Sequence, residues 1–277
     1  MSIANINGTT PIWRAAFEGQ LEVVKYLTEH GADINGAAIN AATPLNVAAH
    51  NGNVEVVKYL AEHGADFNIP SHNGGTPIYH AALNGHIEVV KCLAEHGADI
   101  NVAKVDPIAP IFHDDDVLNG PVRLVRYFGY HGGAARFEKI DGAKPMHAAA
   151  LHGYVEIVKY LAEQGADISA TNNDGATPIW MAAQNGHDEI VKCLAKHPVD
   201  INASNVDGAS PLWIAAQNGH VKVVKYLVEH GADINTATND GATPISIAAR
   251  SGHIEVVKYL EKHGADISAG DNNGFTI

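Results

Sequence analysis

Seventeen histidines stand in this chain, and imidazole is both the commonest metal ligand and a base near neutral pH. Their spacing decides which chemistry is open to them. His30, His63, His96, His131, His197, His230 and His263 precede the Gly, or its substitute, that ends a helical stretch. His86, His187, His220 and His253 follow a Gly between two helical stretches. Members of a series recur once per repeating unit, about a helix-packing distance of 10 Å apart. A metal–nitrogen bond is only about 2 Å long. The pattern points to hydrogen bonding and capping at helix ends rather than shared coordination. A second cluster, Asp114-Asp115-Asp116 beside His113, could hold a divalent cation or serve an enzyme. The competing reading is a solvent-facing bulge. No Gly-rich phosphate loop, metal-spaced Cys/His group or nucleophile motif is present. The chain therefore reads as non-enzymatic and free of cofactor.

What must position these residues is a repeat. Prolines at 11, 44, 77, 110, 145, 178, 211 and 244 are spaced 33 residues apart, with a single interval of 35. Most are preceded by Thr or Ser and followed by an apolar residue and Ala-Ala. A fixed period of this length means stacked units, each burying its apolar face against its neighbours. Such a stack presents a long surface rather than a pocket.

The copy from Asn205 to Ala237 shows the unit. Val206-Asp207-Gly208-Ala209 is a turn. Ser210 can cap a helix and Pro211 suits its first turn. Leu212, Ala215 and Ala216 share one face. His220 opens a second helix, with Val221, Val223, Val224, Leu227 and Val228 expected to be buried. Gly231 ends it. The pattern Asp-Gly-x-Thr-Pro-Leu, Ala-Ala-x-x-Gly-His, Glu-Val-Val-Lys, Gly-Ala-Asp-Ile-Asn resembles the ankyrin repeat, over essentially the whole chain. The resemblance implies an all-α, helix-turn-helix solenoid with projecting hairpin loops. Eight repeats span 1–277 as a single array, followed by a remnant ninth loop at 272–277. It also implies protein binding on a concave face lined by loop tips and first helices, without catalysis. No repeat helix follows Ile277, so the chain is expected to be part of a longer protein or to stack on another subunit. A host-directed effector and a plain structural spacer are the other roles such chains take.

Binding residues are expected where the repeats differ. The second helix repeats Glu-Val-Val-Lys almost unchanged, with Lys three residues after Glu, as solvated pairs. The third position after the cap instead varies: Trp13, Asn46, Tyr79, Phe112, His147, Trp180, Trp213 and Ser246. Packing within the stack and contact with a partner both suit it. Tyr79, Phe112, Trp180 and Trp213 are the candidate anchors, since accessible aromatics dominate binding hot spots. The loop tips shift from Asn7, Asn40 and Asn73 to Asp106, Asp141, Asp174, Asp207 and Asp240. Asp174, Asp207 and Asp240 would favour a basic region of a protein partner.

The net charge of -13 argues against nucleic acid or anionic membrane as the main partner. No stretch approaches 18 uninterrupted apolar residues, so no span is expected, and the first residues show no secretory signal. Cys92 and Cys193 occupy one position in two repeats and read as buried thiols of a reducing, cytoplasmic-type compartment. The fourth repeat, about 104–138, is degenerate. Ala109 replaces its capping residue, and two extra residues fall near His113–Asp115, which predicts a weak seam. His197-Pro198-Val199 breaks the usual His-Gly-Ala, so that helix must end differently. Finally, Asn35, Asn68, Asn101, Asn202 and Asn235 sit in a setting that resembles what an asparaginyl hydroxylase accepts in ankyrin repeats.

Overall fold

The computed structural model describes residues 8–38, 41–104 and 142–268. These contain fourteen helices and no strand. They fall into two compact units, Met1–Pro145 and Met146–Ile277. The first holds α1 (Pro11–Phe17), α2 (Leu21–Glu29), α3 (Pro44–Asn51), α4 (Val54–Glu62), α5 (Pro77–Leu83) and α6 (Ile87–Glu95). At the boundary begins α7 (Pro145–His152). The second unit continues with α8 (Val155–Glu163), α9 (Pro178–Gln184), α10 (Asp188–Leu194), α11 (Pro211–Gln217), α12 (Val221–Glu229), α13 (Pro244–Arg250) and α14 (Ile254–Lys262). The described helices pair as the 33-residue period requires. The degenerate fourth repeat, with Phe112, His113 and Asp114–Asp116, lies almost wholly outside the described residues.

Each first helix starts where its sequence says. Thr10, Thr43, Thr177, Ser210 and Thr243 accept the backbone N–H three residues on, and Pro takes the first turn. Thr76 is the exception, since its buried hydroxyl has no hydrogen-bond partner. In the first unit α1, α3 and α5 pack side by side, as do α2, α4 and α6. In the second α9, α11 and α13 form one row and α8, α10, α12 and α14 the other. The Ala pairs Ala48/Ala49, Ala182/Ala183 and Ala215/Ala216 are fully buried, which lets backbones approach closely. Val223, Val224 and Leu227 are buried as expected. Val221 and Val228 are only half-buried, at the margin of that stripe.

Local polar pairs follow the sequence. Lys25–Glu22, Lys91–Glu88, Lys159–Glu156 and Lys192–Glu189 close at 2.7–2.9 Å on the exposed flank. His30, His63, His96, His230 and His263 each place Nδ1 at 2.7–2.8 Å from the carbonyl four residues back. Four of them also lie over the Tyr at that position. At Pro198 the helix stops early. α10 has seven residues where α12 has nine, and Lys196, His197 and Val199 close it with tight turns.

The second histidine series acts differently from local capping. His86, His187, His220 and His253 make no side-chain cap on their own helices or, for α8, leave that place to Tyr154. Their Nε2 atoms instead bond a carbonyl 36 residues earlier, at His50, Leu151, Gln184 and Gln217, over 2.9–3.0 Å. Asn53 does the same to Ala16 and Phe17. These side chains clamp one repeat to the one before it.

The loops are closed by a recurring pairing. Ala38, Ser71, Asn172, Asn205 and Thr238 each donate N–H to the carbonyl four residues on. Lys104 instead donates N–H to the carbonyl of Ala143, far along the chain, at 2.7 Å, and its own carbonyl accepts from Gly142 N–H at 3.0 Å. The loop leaving α6 therefore pairs with the loop entering α7.

Candidate partner-binding surface

At five of the seven described copies the third residue after the cap carries a side-chain N–H into a following loop; Tyr79 and Ser246 have none. Trp13, Trp180 and Trp213 donate Nε1–H to the carbonyls of Ala42, Ala209 and Ala242, each 29 residues on, at 2.9–3.0 Å. Asn46 donates to Ile69 at 2.9 Å. His147 places Nε2 at 3.0 Å from Ala170 and 3.2 Å from Ala176. The shared property is a side-chain N–H at this height, not an aromatic ring. It could have been read from the sequence, since Trp, Asn and His all carry one. Tyr79 is 2% exposed and Trp180 8%, so both are packed inside the stack. Trp213 is half-buried, and it alone among the described candidate anchors offers part of its ring to solvent.

The acidic tips of the second unit form a fixed row. In two of the loops an Asn side chain folds the tip by accepting two N–H groups, and in the third a Thr hydroxyl takes its place. Asn172 accepts from Asp174 and Ala176, at 3.1 and 2.8 Å. Asn205 accepts from Asp207 and Ala209, at 3.1 and 2.9 Å. Thr238 accepts from Ala242 and donates to the Asp240 carboxylate. That hydroxyl holds the Asp240 carboxyl below its usual range. Successive tips are also bonded together. Val206 N–H donates to Asp174 O at 3.0 Å, and Asn239 N–H to Asp207 O at 2.9 Å. Asp174, Val206, Asp207, Asn239 and Asp240 are all exposed. Among the tips of the first unit, Asn73 is described; it accepts from the Ser71 hydroxyl and Gly75 N–H.

The loop asparagines are engaged across repeats. Asn35, Asn202 and Asn235 accept the N–H of Asp66, Asp233 and Asp266, each at 2.9 Å. Cys92 is buried and Cys193 half-buried, and burial raises the pKa of both thiols. Among the described residues no group of three or more His, Cys, Asp or Glu is placed to hold a metal ion. No described helix is long and apolar enough to cross a membrane.

One buried polar cluster went unread in the sequence. His80 takes the place filled by Met181, Ile214 and Ile247 in other repeats. Its Nε2 lies 2.8 Å from the Ser71 hydroxyl, its Nδ1 has no partner, and the His50 ring stands edge-on at 5.7 Å. A Cβ at position 75 would sit 2.9 Å from Nε2, so Gly75 replaces the Ala of other loops. Burial first, then neighbouring His50 and more remote Lys104, bring His80 down to about 3. An unfolded imidazole titrates near 6.5. The folded form thus favours neutral His80, and its contribution is fully present above about 6.5. Stability is expected to fall by about 1.4 kcal/mol per pH unit from this group as pH drops from there toward about 3. Urea unfolding at stepwise pH tests this against His80→Ile. A variant with the same slope over pH 6 to 4 would remove His80 as the cause.

The comparisons agree with this architecture. Sequence profiles for ankyrin repeats match residues 35–104, 117–205 and 181–271, and a single-repeat profile matches 7–39. The chain belongs to the ankyrin-repeat family. Its fold is that of a solved structure, the crystal structure of the human ASB11 ankyrin repeat domain. The two align with a TM-score of 0.72 at 23% identity, over 91% of this chain and 98% of that one. No curated protein matches the chain. Ankyrin repeats are protein–protein interaction scaffolds, and neither comparison brings in a catalytic family.

Proposed function

We propose that this chain is a recognition scaffold or adaptor that holds a protein partner along its loop tips, with a basic segment of the partner on Asp174, Asp207 and Asp240. The observation that carries it is the bonded row of tips. Three exposed carboxylates stand on consecutive loops whose backbones are hydrogen-bonded to one another. Little loop entropy is then lost on binding, which is where rigid sites gain affinity. Trp213 and Val206 supply apolar surface beside them. Trp180 contributes by holding the following loop in place.

A panel of peptides of matched length and graded charge tests this. Basic peptides are expected to bind, and Asp174→Asn/Asp207→Asn/Asp240→Asn to weaken them at least tenfold. A control of equal net charge neutralises Glu156, Glu189 and Glu255 on the second helices. Equal weakening by both variants would reduce the effect to net charge and sink the reading. The hydroxylase reading of Asn35, Asn68, Asn101, Asn202 and Asn235 is a second proposal, supported by the recurrence of the same loop setting. Intact mass after treatment with such an enzyme decides it, and no added oxygen ends it.

A further inference from the structure

The loops that lead into the first helices share one closure. Ala38, Ser71, Asn172, Asn205 and Thr238 each donate N–H to the carbonyl four residues on, at 2.9–3.1 Å. Each also accepts, at its own carbonyl, the N–H three residues on, at 2.7–3.0 Å. The residue giving that second N–H has a left-handed backbone in every copy, with Ala41 at φ 55 and Gly74, Gly175, Gly208 and Gly241 at φ 76–84. Such a residue lets a tight loop bulge and still pair.

The loop ahead of α7 has both bonds and the same backbone, with one partner exchanged. Ala143 O accepts from Lys104 N–H at 2.7 Å, Gly142 N–H donates to Lys104 O at 3.0 Å, and Gly142 has φ 77. The repeat period assigns that partner's place to Lys139, four residues before Ala143. Lys104 stands 35 residues earlier than Lys139. The sequence explains the exchange. The loop that starts at Lys104 would need residue 107 to donate its N–H from a left-handed backbone. Residue 107 is Pro, which has no N–H and whose ring holds φ near about −65°. Lys104 therefore cannot complete the closure with its own next residues. It suits the later loop, because Lys104-Val105-Asp106 and Lys139-Ile140-Asp141 carry the same residue types in the same order.

We propose that Lys104 closes the loop ahead of α7 in place of Lys139, and that residues 105–139 are an insert which the described helices do not need in order to fold. The insert is 35 residues long, one 33-residue period and two more. Its removal leaves Lys104-Ile140-Asp141-Gly142-Ala143, with two tip residues as in Asn205–Ala209. Arrays of this kind are held together by contacts between nearest neighbours, so a repeat without its loop closure is the one that can be spared. Ala109 in the capping place and the two extra residues near His113–Asp115 are tolerable in such an insert. The inference rests on loop closure and is independent of the acidic tips.

Two measurements test it. The first uses the full chain with Cys92→Ser/Cys193→Ser and the added pair Lys104→Cys/Ala143→Cys. Paired strands lie about 4.8 Å apart, within the Cα separation of about 4.4–6.8 Å that a disulfide spans. A residue displaced by one repeat would stand about 10 Å away. Mild oxidation is expected to link positions 104 and 143 in most folded molecules, as read by peptide mass, and in few molecules unfolded in urea. The second measurement removes residues 105–139 and follows urea unfolding by circular dichroism. The deletion variant is expected to match or exceed the unfolding midpoint of the native chain. A folded chain whose added pair stays reduced, or links no better than the unfolded chain, overturns the proposal. So does a deletion variant that fails to fold or unfolds at lower urea than the native chain.

Discussion

Trp180→Ala is expected to lower the stability of the second unit by about 3–5 kcal/mol, the range for truncating a buried aromatic. The side chain is 8% exposed, and its Nε1–H reaches the carbonyl of Ala209 at 2.9 Å. Truncation removes both the ring's contacts and the tie between two repeats. Trp180→Phe separates these terms. It keeps most of the ring and loses the N–H. Ala209 O still accepts from Asn205 N–H at 3.1 Å, so no carbonyl is stranded, and the loss should be about 1 kcal/mol. Urea unfolding followed by far-ultraviolet circular dichroism measures both. An alanine variant within about 1 kcal/mol of the parent would show that the indole does not hold the stack, and would return Trp180 to the candidate anchors. Any effect of Trp180→Ala on partner binding must be judged after this loss of structure.

The second large effect is expected at Gly186. Its backbone has φ 73, a left-handed conformation that strains an L-residue by roughly 1–2 kcal/mol. A Cβ there would also lie 2.6 Å from Nδ1 of His220. Gly186→Ala must then displace a ring whose Nε2 is bonded to Gln184 O at 2.9 Å, for roughly 1 kcal/mol more. Gly252 has φ 79 and no atom within 4 Å, so Gly252→Ala carries the backbone term alone. Measured at low protein concentration, Gly186→Ala should be the more destabilising by about 1 kcal/mol or more. Equal penalties would mean that the histidine clamp contributes nothing. In Gly186→Ala/His220→Ala the two losses should overlap rather than add, as expected for groups in contact.

These two sites mark where the sequence stopped being legible. Interactions three or four residues apart could be read directly: Thr177 on Trp180 N–H, Lys159 on Glu156, His230 on the carbonyl of Tyr226. Both partners lie on one short stretch, and one or both announce themselves by side-chain type. The ties between repeats use a donor side chain and a backbone carbonyl 29 or 36 residues away. Every residue has a carbonyl, so the acceptor leaves no trace in the letters. Histidines 187, 220 and 253 consequently read as local caps although they reach the previous repeat. The aromatic letters at 13, 180 and 213 likewise drew attention to their rings and away from their N–H groups. The acidic tips were legible as turn residues. Their bonding into a row was not, because it again runs from backbone to backbone.

The ties also have a direction. Trp180 reaches forward to the loop that opens the following repeat, while His220 reaches back across the same junction. The second unit is thus buttoned from both sides at each seam, and a seam cannot loosen halfway without losing one of the two. Under tension along the chain, such a unit is expected to give way one whole repeat at a time. Each release frees 33 residues of contour, about 110 Å at about 3.4 Å per residue. A scaffold of this construction is a chain of equal mechanical fuses, able to pay out length in steps while the rows that remain stay folded.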